Sequence, residues 1–174
     1  MRKFVFTAIV ALLAACSPSE NPSSLTPIGF ESVYTTLDLD KCQTIKTYED
    51  SGGRDMKCAG YRDIPVFVSV QDGRHDIDIG RLDDDFVNAM DFNSLGDTLE
   101  WRLYSGEPVS VIARYNFTAP DPVAGEYNRL AVLSIATKDR DSCYIAWISP
   151  HMKPNQIIKA RAFADNVTAD TPCL

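Results

Sequence analysis

The strongest constraint on the fold is a series of short segments in which apolar and polar residues alternate between turn signals. Alternation with a period of two places successive side chains on opposite faces of an extended chain, so these segments predict strands. Seven such strands are predicted, at residues 34–39, 64–71, 75–80, 98–104, 109–117, 130–137 and 143–148. The residues between Cys42 and Cys58 are polar and contain Ser51-Gly52-Gly53, which indicates a hairpin or a loop.

One segment near the end of the chain has helical character instead. Residues 154–166 have proline in the first turn, good helix formers inside and asparagine at the exit. The side chains expected to pack on the sheet are Ile157, Ile158, Ala162 and Phe163. A shorter helix is predicted at 86–92, followed by a turn at 93–96. The predicted fold is therefore mainly β with a C-terminal helix, its antiparallel sheet closing toward a sandwich or an open barrel.

The first sixteen residues carry a secretion signal. Arg2 and Lys3 precede an apolar run from residue 4 to residue 15, which is too short to cross a hydrocarbon layer of about 30 Å. The run ends in Leu-Ala-Ala-Cys at 13–16, which resembles the lipobox of bacterial lipoproteins. This resemblance implies cleavage before Cys16 and attachment of lipid, including palmitate-type acyl chains, to that cysteine. The alternative is an ordinary signal peptide with an incidental cysteine.

The residue after the cysteine bears on the membrane that holds the protein. An aspartate there favours the inner membrane, and the chain has Ser17, so we expect an outer-membrane lipoprotein facing the periplasm. The following residues are polar and rich in proline, which predicts a flexible tether. The predicted domain plan is a signal peptide at 1–15, the lipidated cysteine and tether at 16–27, and a single globular domain at 28–174.

The charge of the mature chain restricts its partners. Removal of residues 1–15 takes away Arg2 and Lys3 but no acid, so 15 basic and 24 acidic side chains remain and the net charge falls from −7 to −9. An acidic surface repels nucleic-acid phosphates and anionic headgroups, and nucleic-acid binding is not expected. The same field attracts a cationic envelope protein.

Four cysteines remain after Cys16. An even number in an oxidising compartment predicts two disulfides, and four cysteines allow three pairings. Proximity in the sequence favours Cys42–Cys58 and Cys143–Cys173. No two cysteines have the short spacing of a zinc-binding pair.

The candidate functional residues are few. His75 lies beside Asp76 and Asp78 and is a candidate base or metal ligand, against the simpler interpretation of a surface histidine near a turn; the other histidine, His151, is distant in sequence. The weak metal candidates are Asp76, Asp78, Asp83 and Asp85, which form the densest acidic region but lack the EF-hand spacing. No cofactor is expected.

Catalysis by a nucleophile or by paired carboxylates has little support. No Gly-x-Ser-x-Gly elbow is present, and Glu100 and Glu107 are predicted on a strand and in a turn with nothing to fix their separation. Glu100 and Arg102 are expected to pair across a solvated strand face. Several aromatic residues fall on neighbouring predicted strands, and we expect them in the core rather than on an exposed face that binds a partner or a sugar: Trp101, Tyr104, Tyr115, Tyr144 and Trp147.

Five segments of the chain resemble an uncharacterised family of proteobacterial periplasmic proteins: 37–42, 58–68, 92–103, 106–117 and 143–148. The resemblance implies a periplasmic address and a single domain, and it implies no functional residue. Together these features predict a lipid-anchored, non-enzymatic binding or envelope-interaction module, for example an inhibitor of a cationic cell-wall hydrolase. The alternative is an envelope hydrolase or metal-dependent enzyme that uses His75 and the acidic loop.

Overall fold

The computed structural model describes residues 29–83, 91–118, 126–152 and 155–174. The predicted signal peptide, lipidated cysteine and tether lie outside these residues. Within them the chain forms nine strands and one α-helix: β1 (Phe30–Thr36), β2 (Gln43–Tyr48), β3 (Gly53–Tyr61), β4 (Ile64–Gln71), β5 (Arg74–Ile79), β6 (Asn93–Tyr104), β7 (Glu107–Thr118), β8 (Glu126–Ser134), β9 (Tyr144–Ile148) and α1 (Gln156–Ala164).

The strands form two antiparallel sheets that pack face to face. The large sheet has the order β1-β6-β7-β8-β9 and the small sheet the order β2-β3-β4-β5. The prediction of a mainly β fold with a C-terminal helix is confirmed. The sheets are separate hydrogen-bonded units, so the architecture is a sandwich and not a closed barrel.

Alternating apolar residues of both sheets fill the space between them. The largest wholly buried side chain is Trp101 of β6, whose indole nitrogen donates to the Thr35 hydroxyl at 2.8 Å. Around it lie buried residues of both sheets, among them Met56, Val66, Val68, Ile77, Ile79, Leu99, Leu103, Val111 and Leu133. Burial of each such side chain contributes roughly 1.5–3 kcal/mol.

The turn predicted at 93–96 is wrong. Those residues begin β6, and the register between β6 and β7 shifts between Leu95 and Leu99. A side chain at Gly96 would place its Cβ 3.1 Å from the Cβ of Arg114, so glycine permits the close approach of the two strands there. The turn-like residues therefore mark a β-bulge. The helix predicted at 86–92 lies outside the described residues apart from 91 and 92, which are not helical.

Helix α1 covers the outer face of the large sheet through small side chains. Ala160 and Ala164 are fully buried against Ile112, Val132 and Ile148. Of the four side chains predicted to pack on the sheet, Ile157 does so, whereas the prediction is wrong for Ile158 and Phe163, which are 48% and 43% exposed, and for Ala162, which is also exposed. Alanines four residues apart let the helix backbone approach the sheet closely.

Charged residues share this helix-covered face. Glu100 and Arg102 are buried, so the expectation of a solvated strand face is wrong, but the expected pairing is present, with Arg102 Nη1 3.8 Å from Glu100 Oε1. Arg102 binds the Asp165 carboxylate with two hydrogen bonds, Nε to Oδ1 at 2.7 Å and Nη2 to Oδ2 at 2.8 Å. Arg161 of α1 donates through Nε to Glu100 at 2.6 Å. Because the helix excludes water from these groups, they are paired rather than solvated.

Both predicted disulfides are confirmed. Cys42–Cys58 joins the residue before β2 to β3, and Cys143–Cys173 joins the C-terminal segment to the residue before β9. The sequence separations are 16 and 30 residues. In the chain-entropy description, closing loops of this size stabilises the fold by about 3–4 kcal/mol each.

Candidate functional site

β5 is an edge of the small sheet and β9 is an edge of the large sheet, and residues of β9 and of the loop before it contact β5 without sharing a strand ladder with it. We call this the open side of the sandwich. Side chains cap the free backbone amides of β5. The Ile79 amide donates to the Ser142 hydroxyl and the Ile77 amide to Asp76 Oδ1, both at 3.0 Å. These contacts replace a neighbouring strand, so this edge offers no unpaired amide at either position.

A buried chain of hydroxyl groups continues from Asp76 into the core. The Tyr144 hydroxyl donates to Asp76 Oδ1 at 2.5 Å, and the Tyr115 hydroxyl lies 2.6 Å from that of Tyr144. Because Tyr144 gives its proton to the carboxylate, Tyr115 donates to Tyr144. Burial raises the pKa of both tyrosines well above the ordinary value of 10.0, so both remain protonated donors.

Asp78 lies two residues beyond Asp76 on the same face of β5, and it has different hydrogen-bond partners. The Ser142 hydroxyl donates to Oδ1 at 3.0 Å and the Asp83 amide donates to Oδ2 at 3.3 Å. Burial, and after it the negative charge of Asp83, raises the pKa of Asp78 from 3.8 to about 7. This carboxyl group therefore exchanges its proton near neutral pH.

Asp78 borders a pocket of about 480 Å³ on the open side of the sandwich. Asp78 and Asp83 line it with carboxyl groups, and Tyr144 and Trp147 of β9 line it with aromatic rings. The two aromatic rings are stacked, with centroids 5.1 Å apart and planes inclined by 15°. Trp147 is only partly buried. Carboxylates and aromatic rings in one cavity are groups that bind cations or sugars.

The remaining walls come from the loop before β9 and from the C-terminal segment. They contribute Arg140, Asp141, Ser142, Cys143, Cys173 and Leu174. Arg81 pairs with Asp141 at 2.5 Å, so the Asp141 charge is already opposed. The residues of this pocket come from three separate parts of the chain, and the disulfide holds two of those parts together.

His75 does not face this pocket. It pairs with Val70 and lies on the face of β5 that also carries Ile77, opposite the face that carries Asp76 and Asp78. Its Nδ1 is 2.7 Å from the Asn93 carbonyl oxygen, and burial lowers its pKa below 6.5. His151 is exposed in the turn before α1. The proposed grouping of His75 with the acidic residues is therefore not assembled.

The candidate metal ligands are likewise only partly brought together. Asp76 accepts the Tyr144 hydroxyl, Asp78 and Asp83 border the pocket, and Asp85 lies outside the described residues. Within 29–83, 91–118, 126–152 and 155–174, no group of three or more histidine, cysteine, aspartate or glutamate side chains is arranged to hold a metal ion.

Glu100 and Glu107 are not a catalytic pair. Glu100 lies beneath α1 and accepts from Arg161, whereas Glu107 is exposed and its carboxylate lies 3.4 Å from Arg62. The five aromatic residues predicted in the core do not all lie there. Trp101, Tyr115 and Tyr144 are core residues as expected, Trp147 lines the pocket, and Tyr104 is 51% exposed.

Comparisons with known proteins give no relative: no family model matches the chain, and neither the curated proteins nor the solved structures contain a match. The fold defines the chain as a two-sheet antiparallel sandwich with a helix on one face and an acidic and aromatic pocket at its open side. Among the described helices, none is long and apolar enough to cross a membrane.

Proposed function

We propose that this chain is a periplasmic lipoprotein of the outer membrane, anchored through Cys16, and that its domain is a non-enzymatic binding module for a cationic group of an envelope protein. The pocket beside Asp78 is the observation that carries the binding proposal. Acidic and aromatic residues line one cavity of about 480 Å³, which is large enough for a lysine or arginine side chain.

Charge supports a cationic ligand at two ranges. At short range, a bound ammonium or guanidinium group stabilises the ionised form of Asp78, and the faces of Tyr144 and Trp147 attract the same cation. At long range, the net charge of −9 that we expect for the mature chain accelerates its encounter with a basic protein. Binding of this kind releases a proton from Asp78 near pH 7, so affinity increases from pH 6 to pH 8.

The pocket has less support as a catalytic site than as a binding site. Its serine, Ser142, donates to Asp78 and accepts from the Ile79 amide, and the lining residues that the structure describes include no histidine to complete a catalytic triad. The separation of His75 from the acidic residues removes the support for a hydrolytic or metal-dependent site there.

A concrete form of the proposal is inhibition of a cationic cell-wall hydrolase such as lysozyme. The test is to titrate the purified domain into a lysozyme assay at low and moderate salt and to measure the rate of cell-wall lysis. At pH 8, where Asp78 is mostly ionised, Asp78→Asn should weaken inhibition at least tenfold, whereas Asp50→Asn, the same substitution at an exposed position, should weaken it less than twofold.

An unchanged lytic rate with the wild-type domain would reject the inhibitor. Calorimetric titration with a lysine-rich peptide separates this outcome from the broader proposal, because the peptide probes the pocket without any hydrolase. Binding that is lost in Asp78→Asn and kept in Asp50→Asn supports a cation site. Equal binding by both variants places the cation elsewhere and refutes the site.

A further inference from the structure

The two disulfides lie in different surroundings. Cys58 is 5% exposed and belongs to the core between the sheets, and its partner Cys42 packs against that core. In contrast, Cys173 is exposed and Cys143 is half-buried at the rim of the pocket. Cys42 is half-buried like Cys143, so the exposed Cys173 is the difference between the two bonds, and it gives a dissolved thiol easier access to the second disulfide than to the first.

An arginine lies against the exposed disulfide. Nη2 of Arg140 is 3.0 Å from the sulfur of Cys143 and also 3.0 Å from the sulfur of Cys173. Its Nη1 donates to the Ala169 carbonyl at 2.8 Å, which fixes the guanidinium group in place. The Ser134 hydroxyl is a second donor, 3.5 Å from the Cys143 sulfur.

This arrangement stabilises the form that cysteine takes when the bond opens. A guanidinium group lowers the pKa of a neighbouring thiol because it stabilises the thiolate, and a thiol of lower pKa is a better leaving group in thiol–disulfide exchange. We propose that Cys143–Cys173 is a thiol–disulfide exchange site whose co-substrate is a reduced dithiol, while Cys42–Cys58 is a purely structural bond. This inference does not depend on which ligand the pocket binds.

The geometry assigns the two sulfurs different roles. A thiolate of the dithiol attacks the exposed sulfur of Cys173, forms a mixed disulfide with it and displaces Cys143 as a thiolate beside Arg140 and Ser134. The second thiol of the dithiol, once deprotonated, attacks the mixed disulfide and releases Cys173. The dithiol loses two electrons and becomes a disulfide, and the protein gains two electrons and becomes a dithiol.

Opening this bond changes the pocket, because Cys173 and Leu174 form part of its wall. Two polar contacts still hold the C-terminal segment afterwards: the Leu174 amide donates to the Tyr144 carbonyl at 3.0 Å, and Arg140 donates to Ala169. Reduction therefore loosens this wall of the pocket, while these contacts keep the segment close to it. The core between the two sheets does not depend on this disulfide.

The test measures the reduction of each disulfide separately in the full-length folded protein. The protein is exposed to dithiothreitol or to a reduced thioredoxin-type protein, the free thiols are trapped with iodoacetamide, and peptide mass spectrometry quantifies each cysteine over time. We expect Cys143–Cys173 to open at least about tenfold faster than Cys42–Cys58 in the native state and at a similar rate to it in denaturant. Equal native rates would overturn the proposal.

A second measurement separates the guanidinium effect from simple exposure. In the reduced protein, the pH dependence of Cys143 alkylation gives the thiol pKa, which we expect below the ordinary value of about 8.5. Arg140→Gln should raise it, Arg140→Lys should restore part of the difference, and Arg114→Gln should leave it unchanged, since Arg114 pairs with Asn128. An identical Cys143 pKa in wild type and Arg140→Gln would refute the role of Arg140. This holds even if the substitution also loosens the C-terminal segment, because the measurement reports the thiol pKa and not the position of that segment.

Discussion

Asp165 lies at the C-terminal end of α1, where the helix dipole disfavours a negative charge. The placement is explained by Arg102 of β6, whose side chain is 1% exposed and whose guanidinium group binds both Asp165 carboxylate oxygens. Replacement of Asp165 by asparagine keeps the size of the side chain but removes its charge. We expect this change to leave the Arg102 charge buried with weaker compensation.

The magnitude follows from the contacts that remain. Removal of one partner of a buried ion pair costs about 3–5 kcal/mol. Arg102 keeps the Ser32 hydroxyl and keeps Glu100 at 3.8 Å, so the lower end of this range applies. Asp165→Asn should therefore lower the free energy of unfolding by about 3 kcal/mol, and the midpoint of thermal unfolding by roughly 6–12 °C for a domain of this size.

Urea unfolding followed by tryptophan fluorescence measures this effect, because Trp101 is buried in the core. The control is Lys41→Ala, which removes an exposed ion pair with Asp38 and should leave the urea midpoint nearly unchanged. Combining Asp165→Leu with Arg102→Met removes both charges at once, and we expect the double variant to be more stable than Asp165→Asn. A loss below 1 kcal/mol in Asp165→Asn would refute the argument that this ion pair holds the helix on the sheet.

Three further predictions concern the pocket and the anchor. The folded-state pKa of Asp78, about 7, lies above its ordinary value of 3.8, so this residue makes stability fall as the pH rises from about 4 to about 7. At pH 8, Asp78→Asn should have a free energy of unfolding about 1–2 kcal/mol above that of wild type, after discounting for the exposed part of the side chain, and in urea unfolding this difference should shrink toward zero at pH 4. Tyr144→Phe removes the hydroxyl that donates to Asp76 and accepts from Tyr115, and it should lower the free energy of unfolding in urea by about 2–3 kcal/mol, more than Tyr115→Phe does. Equal losses in the two variants would contradict the order of the hydrogen-bonded chain. Cys16→Ser should shift the protein from the detergent phase to the aqueous phase in detergent partitioning, and unchanged partitioning would reject the anchor.

Local patterns in the sequence were sufficient for most strands and for the disulfides. Strand β4 begins and ends where its β-branched alternation predicts, at Ile64 and Gln71. The pairing Cys42–Cys58 follows from proximity because a single hairpin, β2-β3, carries the second cysteine and begins just after the first. Short loops have low closure entropy, so contacts between neighbours in sequence are the most predictable ones.

The face of the large sheet under α1 was not predictable in the same way. A charged pair such as Glu100 and Arg102 normally marks solvent, and here a helix more than fifty residues later covers it. The apolar character of Ile158 and Phe163 predicts the wrong contact face for the helix, because Ala160 and Ala164 are the residues buried against the sheet. The opposite charges of the large sheet and of α1 are what indicate that the helix covers this face. They can be matched only when the order of the strands in the sheet is known.

The two acids of β5 illustrate why the candidate site required a structure. In sequence, Asp76 and Asp78 are equivalent members of an alternating strand, and both face the same side. The structure separates them, because Asp76 accepts from Tyr144 and from a backbone amide within its own edge, whereas Asp78 borders the cavity. Replacing Asp76 by asparagine should therefore lower stability, as loss of a buried acceptor does. Replacing Asp78 by asparagine should instead lower the affinity for a cation. Urea unfolding and calorimetric titration of the same two variants measure this contrast. It tests whether Asp76 stabilises the strand edge while Asp78 serves the pocket.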